Sequence, residues 1–349
     1  MRLEWCRYAL VLAIFTEASL VSSIIPPLSI TVVSRHGEAT RRQLSAILNA
    51  HVIVFETREA VAETMALTWL PRNPSELCRM LATWDFHRPG LSKYASIGLA
   101  EIDSSTIVAA IYNTQVTAQI ELNRSDENWV GLLQTVVESI KNEAVLDPRT
   151  THVSRDSALQ KLLGGKEDAV AKFDVKNKTV PNALMPGSFN PLHQGHCEML
   201  SVAERILGGP VDLELSVVNV DKPSLDHLTV QKRIEQLPDD VRLWLTRSPT
   251  FSQQAAVFPG STFVVGADTI VRVADVKYYD NAHCRDRAIE AIAAAGCRFI
   301  VFGRHSESRF ESLEAIDLPP ALRKICEGVG QSDFRVDISS TELRSESGR

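Results

Sequence analysis

Several things are missing from this chain, and each absence narrows its class. It has no long hydrophobic run: the apolar stretch Ala9 to Phe15 is too short to cross a bilayer, and nothing further along approaches the length of a spanning helix. Arg2 and Arg7 ahead of that stretch resemble the start of a signal peptide. Glu4 and Glu17 beside it weaken that reading, so a buried first strand and no membrane association are expected. Cysteine pairs are lacking. Cys6, Cys78, Cys197, Cys284, Cys297 and Cys326 lie far apart with no Cys-x-x-Cys, which argues against a disulfide framework and for reduced thiols in a cytoplasmic compartment. Basic excess is lacking too, with 37 Lys and Arg against 43 Asp and Glu, so no nucleic-acid partner is expected. There is no fixed-period repeat and no low-complexity tract. What remains is ordinary globular composition, 44% hydrophobic over 349 residues, enough for about two domains.

The most informative residues are Pro186 to His196, which read Pro-Gly-Ser-Phe-Asn-Pro-Leu-His-Gln-Gly-His. The apolar Ala183-Leu184-Met185 runs into a glycine turn, His193 and His196 follow with Gly195 between them, and Cys197 to Leu207 has the apolar period of a helix. A strand, a glycine turn and a helix start make a place for phosphate, because free backbone N–H groups point outward and the helix dipole favours an anion. Imidazoles add donors for charge developing on a transferred phosphate. Two histidines three apart could also be an ordinary helix start or half of a metal site. No further Cys or His stands nearby at zinc-like spacing, so no protein metal ligands are expected.

A second motif lies far downstream. Phe334 to Ile338 reads as a short strand running into Ser339-Ser340-Thr341-Glu342-Leu343-Arg344. Serine and threonine are preferred helix caps, and hydroxyls with N–H groups at one helix start, plus Arg344 a turn later, would hold the outer phosphates of a nucleoside triphosphate.

With both strings in view, the segment from about Asn182 to Arg344 resembles the nucleotidylyltransferase superfamily, and within it the nicotinamide/nicotinate mononucleotide adenylyltransferases. Gly-Ser-Phe-Asn-Pro-x-His-x-Gly-His and Ile-Ser-Ser-Thr-x-x-Arg are that family's two signatures. Val264-Val265-Gly266-Ala267-Asp268 is similar to its Gly-x-Asp strand end, Lys222-Pro223 with Arg233 beyond to its basic segment after the second strand, and Phe299 to Arg304 to its late strand ending in Arg.

The resemblance implies transfer of an adenylyl group from ATP to a small phosphorylated acceptor, nicotinamide or nicotinic acid mononucleotide, with release of pyrophosphate. His193 and His196 would be catalytic, with His196 carrying most of the transition-state stabilisation. Gly187, Ser188, Phe189, Gly195, Gly266, Asp268, Ser339, Ser340, Thr341 and Arg344 would bind the nucleotide and its phosphates, and Lys222 the acceptor. Mg²⁺ would bridge phosphate oxygens, held by substrate and water. A homo-oligomer is compatible with this reading. The rival within the enzyme class is cytidylyl transfer to a phosphorylated alcohol. Its relatives carry an Arg-Thr-x-Gly-Ile-Ser-Thr string, whereas Arg335-Val336-Asp337-Ile338-Ser339-Ser340-Thr341 lacks the Thr-x-Gly. A nucleotide-binding regulator without turnover is the rival from another class, and a short last helix, with five residues after Arg344, leaves that alternative open.

The C-terminal pattern alternates strand and helix. Strands are expected at 182–185, 211–218, 241–245, 262–266, 298–302 and 335–338, with helices at 195–207, about 230–237, from 269, and 285–295. This is an α/β, Rossmann-like parallel sheet over 181–349, with ligands at the strands' carboxyl ends. The polar stretch 149–180 reads as a linker. Residues 1–148 read as a second, smaller α/β domain, with strands at 29–33 and 52–55, helices at 42–48 and 60–69, a hairpin over 106–122 and an amphipathic helix at 129–142. That order faintly resembles the C-terminal domain of the competence/damage-inducible proteins, through Thr16-Glu17-Ala18-Ser19 and Ala60 to Ala66. The family's glycine-rich segments are missing, and Gly98-Leu99-Ala100-Glu101-Ile102-Asp103 stands in place of one, so this half reads as a scaffold.

Overall fold

The computed structural model describes residues 28–34, 37–48, 50–65, 70–87, 95–103, 105–113, 116–123, 125–126, 128, 129–142, 144, 150–154, 157–172, 180–220, 224–238, 241–306, 309–331 and 334. The stretch Ala9 to Phe15, Lys222, the strand expected at 335–338 and Ser339, Ser340, Thr341 and Arg344 lie outside the described residues. The chain divides into two compact units, residues 1–161 with 221–231, and residues 162–220 with 232–349. Among the described residues no helix is long and apolar enough to cross a membrane.

The first unit is built on a six-stranded mixed sheet. Its strands are β1 (Leu28–Val33), β2 (His51–Phe55), β3 (Ala95–Glu101), β4 (Thr106–Tyr112), β5 (Val116–Asn123) and β6 (Thr151–Ser154), in the order β2-β1-β3-β4-β5-β6. β1 runs parallel to both β2 and β3, and the remaining pairs are antiparallel. Alternation along β4 divides the core. Ile107, Ala109 and Ile111 join the cluster of helix Trp129–Lys141, while Val108, Ala110 and Tyr112 join that of helix Pro74–His87.

Helix Pro74–His87 has no one-sided stripe, because Leu77 through Asp85, apart from partly buried Met80, are buried. A helix enclosed on most sides carries little amphipathic period, which hides it in the sequence. Gly98, in mid-strand rather than in a turn, explains how close that helix lies: a Cβ there would stand 1.9 Å from the Cys78 carbonyl oxygen.

Segment 221–231 belongs with this unit through buried polar contacts. Arg79 Nε lies 3.5 Å from the Asp226 carboxylate, with both side chains about 95% enclosed, and Arg79 also donates to Gln119 Oε1 at 2.7 Å. The His227 N–H donates to Thr117 Oγ1 at 3.1 Å, and the same hydroxyl lies 3.0 Å from His227 Nδ1.

The second unit holds a seven-stranded sheet and a small hairpin. In chain order the strands are β7 (Ala169–Ala171), β8 (Ala183–Pro186), β9 (Asp212–Ser216), β10 (Leu243–Thr246), β11 (Thr262–Gly266), β12 (Arg298–Phe302), β13 (Arg304–Ser306), β14 (Arg309–Glu311) and β15 (Cys326–Val329). The large sheet has the order β15-β12-β11-β8-β9-β10-β7, with β13 and β14 paired apart from it. All its pairs are parallel except β10 with β7. Counted from β8, the strands β10-β9-β8-β11-β12 follow the doubly wound order 3-2-1-4-5, and strand order reverses between β8 and β11. Phe251, Phe263 and Phe299 pack edge-on or tilted at 5.2–5.5 Å and, with Ile270, Ile289 and Ile292, fill one core of this unit.

The stretch expected as a linker, 149–180, carries β6 of the first sheet, helix Ser157–Leu163 and β7 at the edge of the second. Its short, polar-flanked strands acquire their extended form from the sheet edge they complete, which a local pattern does not reveal.

Candidate active site

The site grows from the end of β8. The Gly187 N–H donates to the Glu214 carbonyl at 2.9 Å, extending the β8–β9 pairing by one step and fixing where the loop departs. Ser188 is exposed, and Phe189 turns its ring inward to 1% exposure although its φ is +42°. A side-chain-bearing residue in the left-handed region costs about 1–2 kcal/mol, so neighbouring contacts must hold it. The ring lies over Gly187, where a Cβ would sit 2.6 Å from two ring carbons, and meets the His196 ring edge-on at 5.4 Å. The glycine is thus required by the phenylalanine that covers it. Arg233 Nη1, from the last turn of helix His227–Ile234, donates to the Ser188 carbonyl at 3.0 Å. The Asn190–Pro191 peptide is cis.

His193 caps helix Gln194–Leu207 with an extended backbone, φ −137° and ψ 168°, and Gly208 ends it in the left-handed region. Gly195, in the first turn, is buried. Two reciprocal bonds close the helix start: the His196 N–H donates to the His193 carbonyl at 2.9 Å, and the His193 N–H donates to His196 Nδ1 at 3.3 Å. The two imidazoles stack at 3.8 Å between centroids, with planes 29° apart.

These contacts settle the state of His196. Burial, and then the neighbouring His193, push its pKa down from 6.5 to about 4, so the ring is neutral near pH 7. Because Nδ1 accepts the His193 N–H, the single ring proton sits on Nε2. A neutral imidazole with its donor on Nε2, at the positive end of a helix dipole, can bind an anion and stabilise added negative charge.

β11 lies beside β8 in parallel register, Thr262 opposite Ala183, so their carboxyl ends share one edge of the sheet. There Gly266 caps helix Ala267–Ala274, and a Cβ on it would meet nothing within 4 Å. Asp268 stands exposed in the first turn of that helix. The structure therefore gathers Gly187, Ser188, Phe189, His193, Gly195 and His196 in one loop and helix start, and places Gly266 at the end of the neighbouring strand and Asp268 in the helix turn that follows it. Among the described residues no three His, Cys, Asp or Glu gather to hold a metal.

Sequence reasoning missed Glu214. It is 1% exposed in β9, whose Asp-Leu-Glu-Leu-Ser alternation reads as turning Glu214 to solvent, and Thr246 Oγ1 donates to one oxygen while Gln254 Nε2 donates to the other at 3.3 Å. Burial pushes its carboxyl up to about 8, so it stays protonated under the loop it anchors. Its partners Thr246 and Gln254 lie on other elements, and no sequence spacing signals them.

Residues 184–346 match the family model described as Cytidylyltransferase-like. The match begins inside β8 and spans both the histidine string and the Ser-Ser-Thr string. It supports a nucleotidyltransferase domain of Rossmann-like α/β fold in this region. No curated protein sequence matches the chain.

Proposed function

We propose that the Cytidylyltransferase-like region at 184–346 transfers an adenylyl group from ATP to the phosphate of a small acceptor, nicotinamide or nicotinate mononucleotide, releasing pyrophosphate. The observation that carries the reaction type is the stacked His193–His196 pair at a helix start, at the point where strand order reverses. An oxygen of the acceptor phosphate attacks the α-phosphorus, the bond from that phosphorus to the α–β bridging oxygen breaks, and pyrophosphate departs with the bond's electrons. The acceptor phosphate is already a nucleophile, so the protein has to align the reactants and neutralise charge. The Ser188 and Phe189 N–H groups would offer backbone donors, that of Gly187 being taken by the Glu214 carbonyl, and the Nε2–H of His196 would meet charge building on the transferred phosphate. Ser339, Ser340, Thr341 and Arg344 would hold the outer phosphates, and Lys222 the acceptor. Bound Mg²⁺ would supply further neutralisation of the triphosphate.

The adenylyl choice rests on the late string, whose Asp337-Ile338-Ser339-Ser340-Thr341 lacks the Thr-x-Gly of the cytidylyl type. Cytidylyl transfer to a phosphorylated alcohol is the second reading, favoured by the description of the matching family. Full-length protein incubated with Mg²⁺, ATP or CTP and a panel of phosphorylated acceptors, with pyrophosphate release as readout, separates them. Turnover with ATP and a nicotinamide or nicotinate mononucleotide supports the first. Turnover only with CTP and a phosphorylated alcohol replaces it with the second, and binding of nucleotide without turnover assigns the domain a regulatory role.

A further inference from the structure

The loop that carries the site contains a residue in an unfavourable backbone state, and one cation is attached to it. Phe189, with φ +42°, would relax to the ordinary region unless both its ring and its peptide were held. Gly187 and His196 hold the ring. On the other side, the Ser188 carbonyl accepts from Arg233 Nη1 at 3.0 Å. That carbonyl and the Phe189 N–H belong to one planar trans peptide, so they point in opposite directions. A guanidinium fixed on the oxygen therefore turns the N–H away from itself. Bonds from a charged donor are about twice as strong as neutral ones, which suits Arg233 to hold a strained peptide.

We propose that Arg233 is a positioning residue: it holds the Ser188–Phe189 peptide in its strained orientation, and thereby keeps the Phe189 ring against His196 and the loop in its anion-binding form. It acts through the loop and not by touching the nucleotide. The step from loop to nucleotide rests on the functional reading above, whereas the hold on Phe189 does not.

The test uses full-length protein and two measurements. In the ligand-free protein, the ring-current-shifted imidazole signals of His196, assigned by their loss in His196→Gln, report whether Phe189 and His193 remain in place. Calorimetric titration with Mg²⁺–ATP reports the loop's anion binding. Arg233→Met is expected to move the His196 signals toward those of a free imidazole and to weaken Mg²⁺–ATP binding about tenfold. Arg233→Lys, which keeps one charged donor, is expected to restore the signals and bring affinity to within about threefold of wild type. Unmoved His196 signals in Arg233→Met overturn the proposal, and if ATP affinity still falls, Arg233 acts by direct charge on the nucleotide. If Arg233→Met does not fold, Arg233→Gln, which removes the charge and shortens the reach, is read in its place: displaced His196 signals with weakened ATP binding support the proposal, and unmoved signals overturn it. Wild-type protein that binds no ATP would defeat the functional reading, while the His196 signals would still judge Arg233.

Discussion

Replacing His196 by alanine removes three things at once: the Nε2–H donor, the Nδ1 acceptor for the His193 N–H at 3.3 Å, and a ring stacked at 3.8 Å on His193 and edge-on at 5.4 Å to Phe189. The first concerns turnover and the other two concern stability. One preorganised donor is worth about 10²–10³ in kcat, roughly 3–4 kcal/mol. A helix-start bond is worth about 1 kcal/mol and an aromatic pair about 0.5–1.5 kcal/mol. The long bond and the half-buried ring argue for a combined stability loss of about 1–2 kcal/mol, or a fall in Tm of about 2–8 °C. His196→Gln separates the two effects. A glutamine at the third helical position can reach back to the cap N–H, which restores the helix start but ties up the amide and leaves no imidazole. We therefore expect His196→Gln to recover most of the Tm while kcat stays about 10²-fold down, with acceptor KM changed far less than kcat. Pyrophosphate release at saturating substrates and ligand-free melting make the comparison. Wild-type kcat in folded His196→Gln would refute the reasoning and leave His196 as a helix cap.

Gly187→Ala should cost about 1–3 kcal/mol and abolish nucleotide-induced stabilisation, because its Cβ would sit 2.6 Å from the buried Phe189 ring; melting with and without Mg²⁺–ATP reads both effects. Gly266→Ala, whose Cβ would meet nothing within 4 Å, should melt within about 0.5 kcal/mol of wild type and lose only nucleotide affinity. Half-buried His196 and buried Glu214 give opposed pH dependences, which urea midpoints across pH 4–9 would resolve. His196, lowered to about 4, is protonated more readily in the unfolded chain, so its part of the stability is present above 6.5 and is lost as pH falls toward 4. Glu214, raised to about 8, is protonated more readily in the folded chain, so its part is present below 4.5 and is lost as pH rises toward 8, at up to about 1.4 kcal/mol per pH unit. Glu214→Gln should remove that alkaline loss. Asp226→Ala would leave the Arg79 charge buried without its carboxylate and should destabilise the first unit by about 3–5 kcal/mol in denaturant unfolding.

Legibility in the sequence followed the physics of each element. β8, β11 and β12 are short apolar runs bounded by turn residues, and helix Gln194–Leu207 and helix Trp129–Lys141 carry one apolar face, so local pattern was enough to place them within a residue or two. The hairpin β4–β5 was equally clear from its alternation. Helix Pro74–His87 was hidden by burial on most sides, and β3 by Gly98, which reads as a turn residue but serves helix-to-strand contact. At the site, the histidine string announced a helix start, and helix Gln194–Leu207 begins there. The Arg233 bond to Ser188 and the protonated Glu214 depend on side chains brought together across tens of residues, and the covering of Gly187 by Phe189 depends on a positive φ, so no spacing rule contains them.

The placement of residues 221–231 with the first unit has a consequence for how the protein is made. Chains emerge from the ribosome N-terminus first, and domains generally fold as units when their last residue is available. Here the last of those residues arrives only after β7, β8 and β9 have been translated. Until then Arg79 has no Asp226 and Thr117 has no His227, and the first unit waits on the growing chain with its sheet complete and these buried polar groups unmatched. Pauses in translation before residue 231 has emerged would prolong that incomplete state.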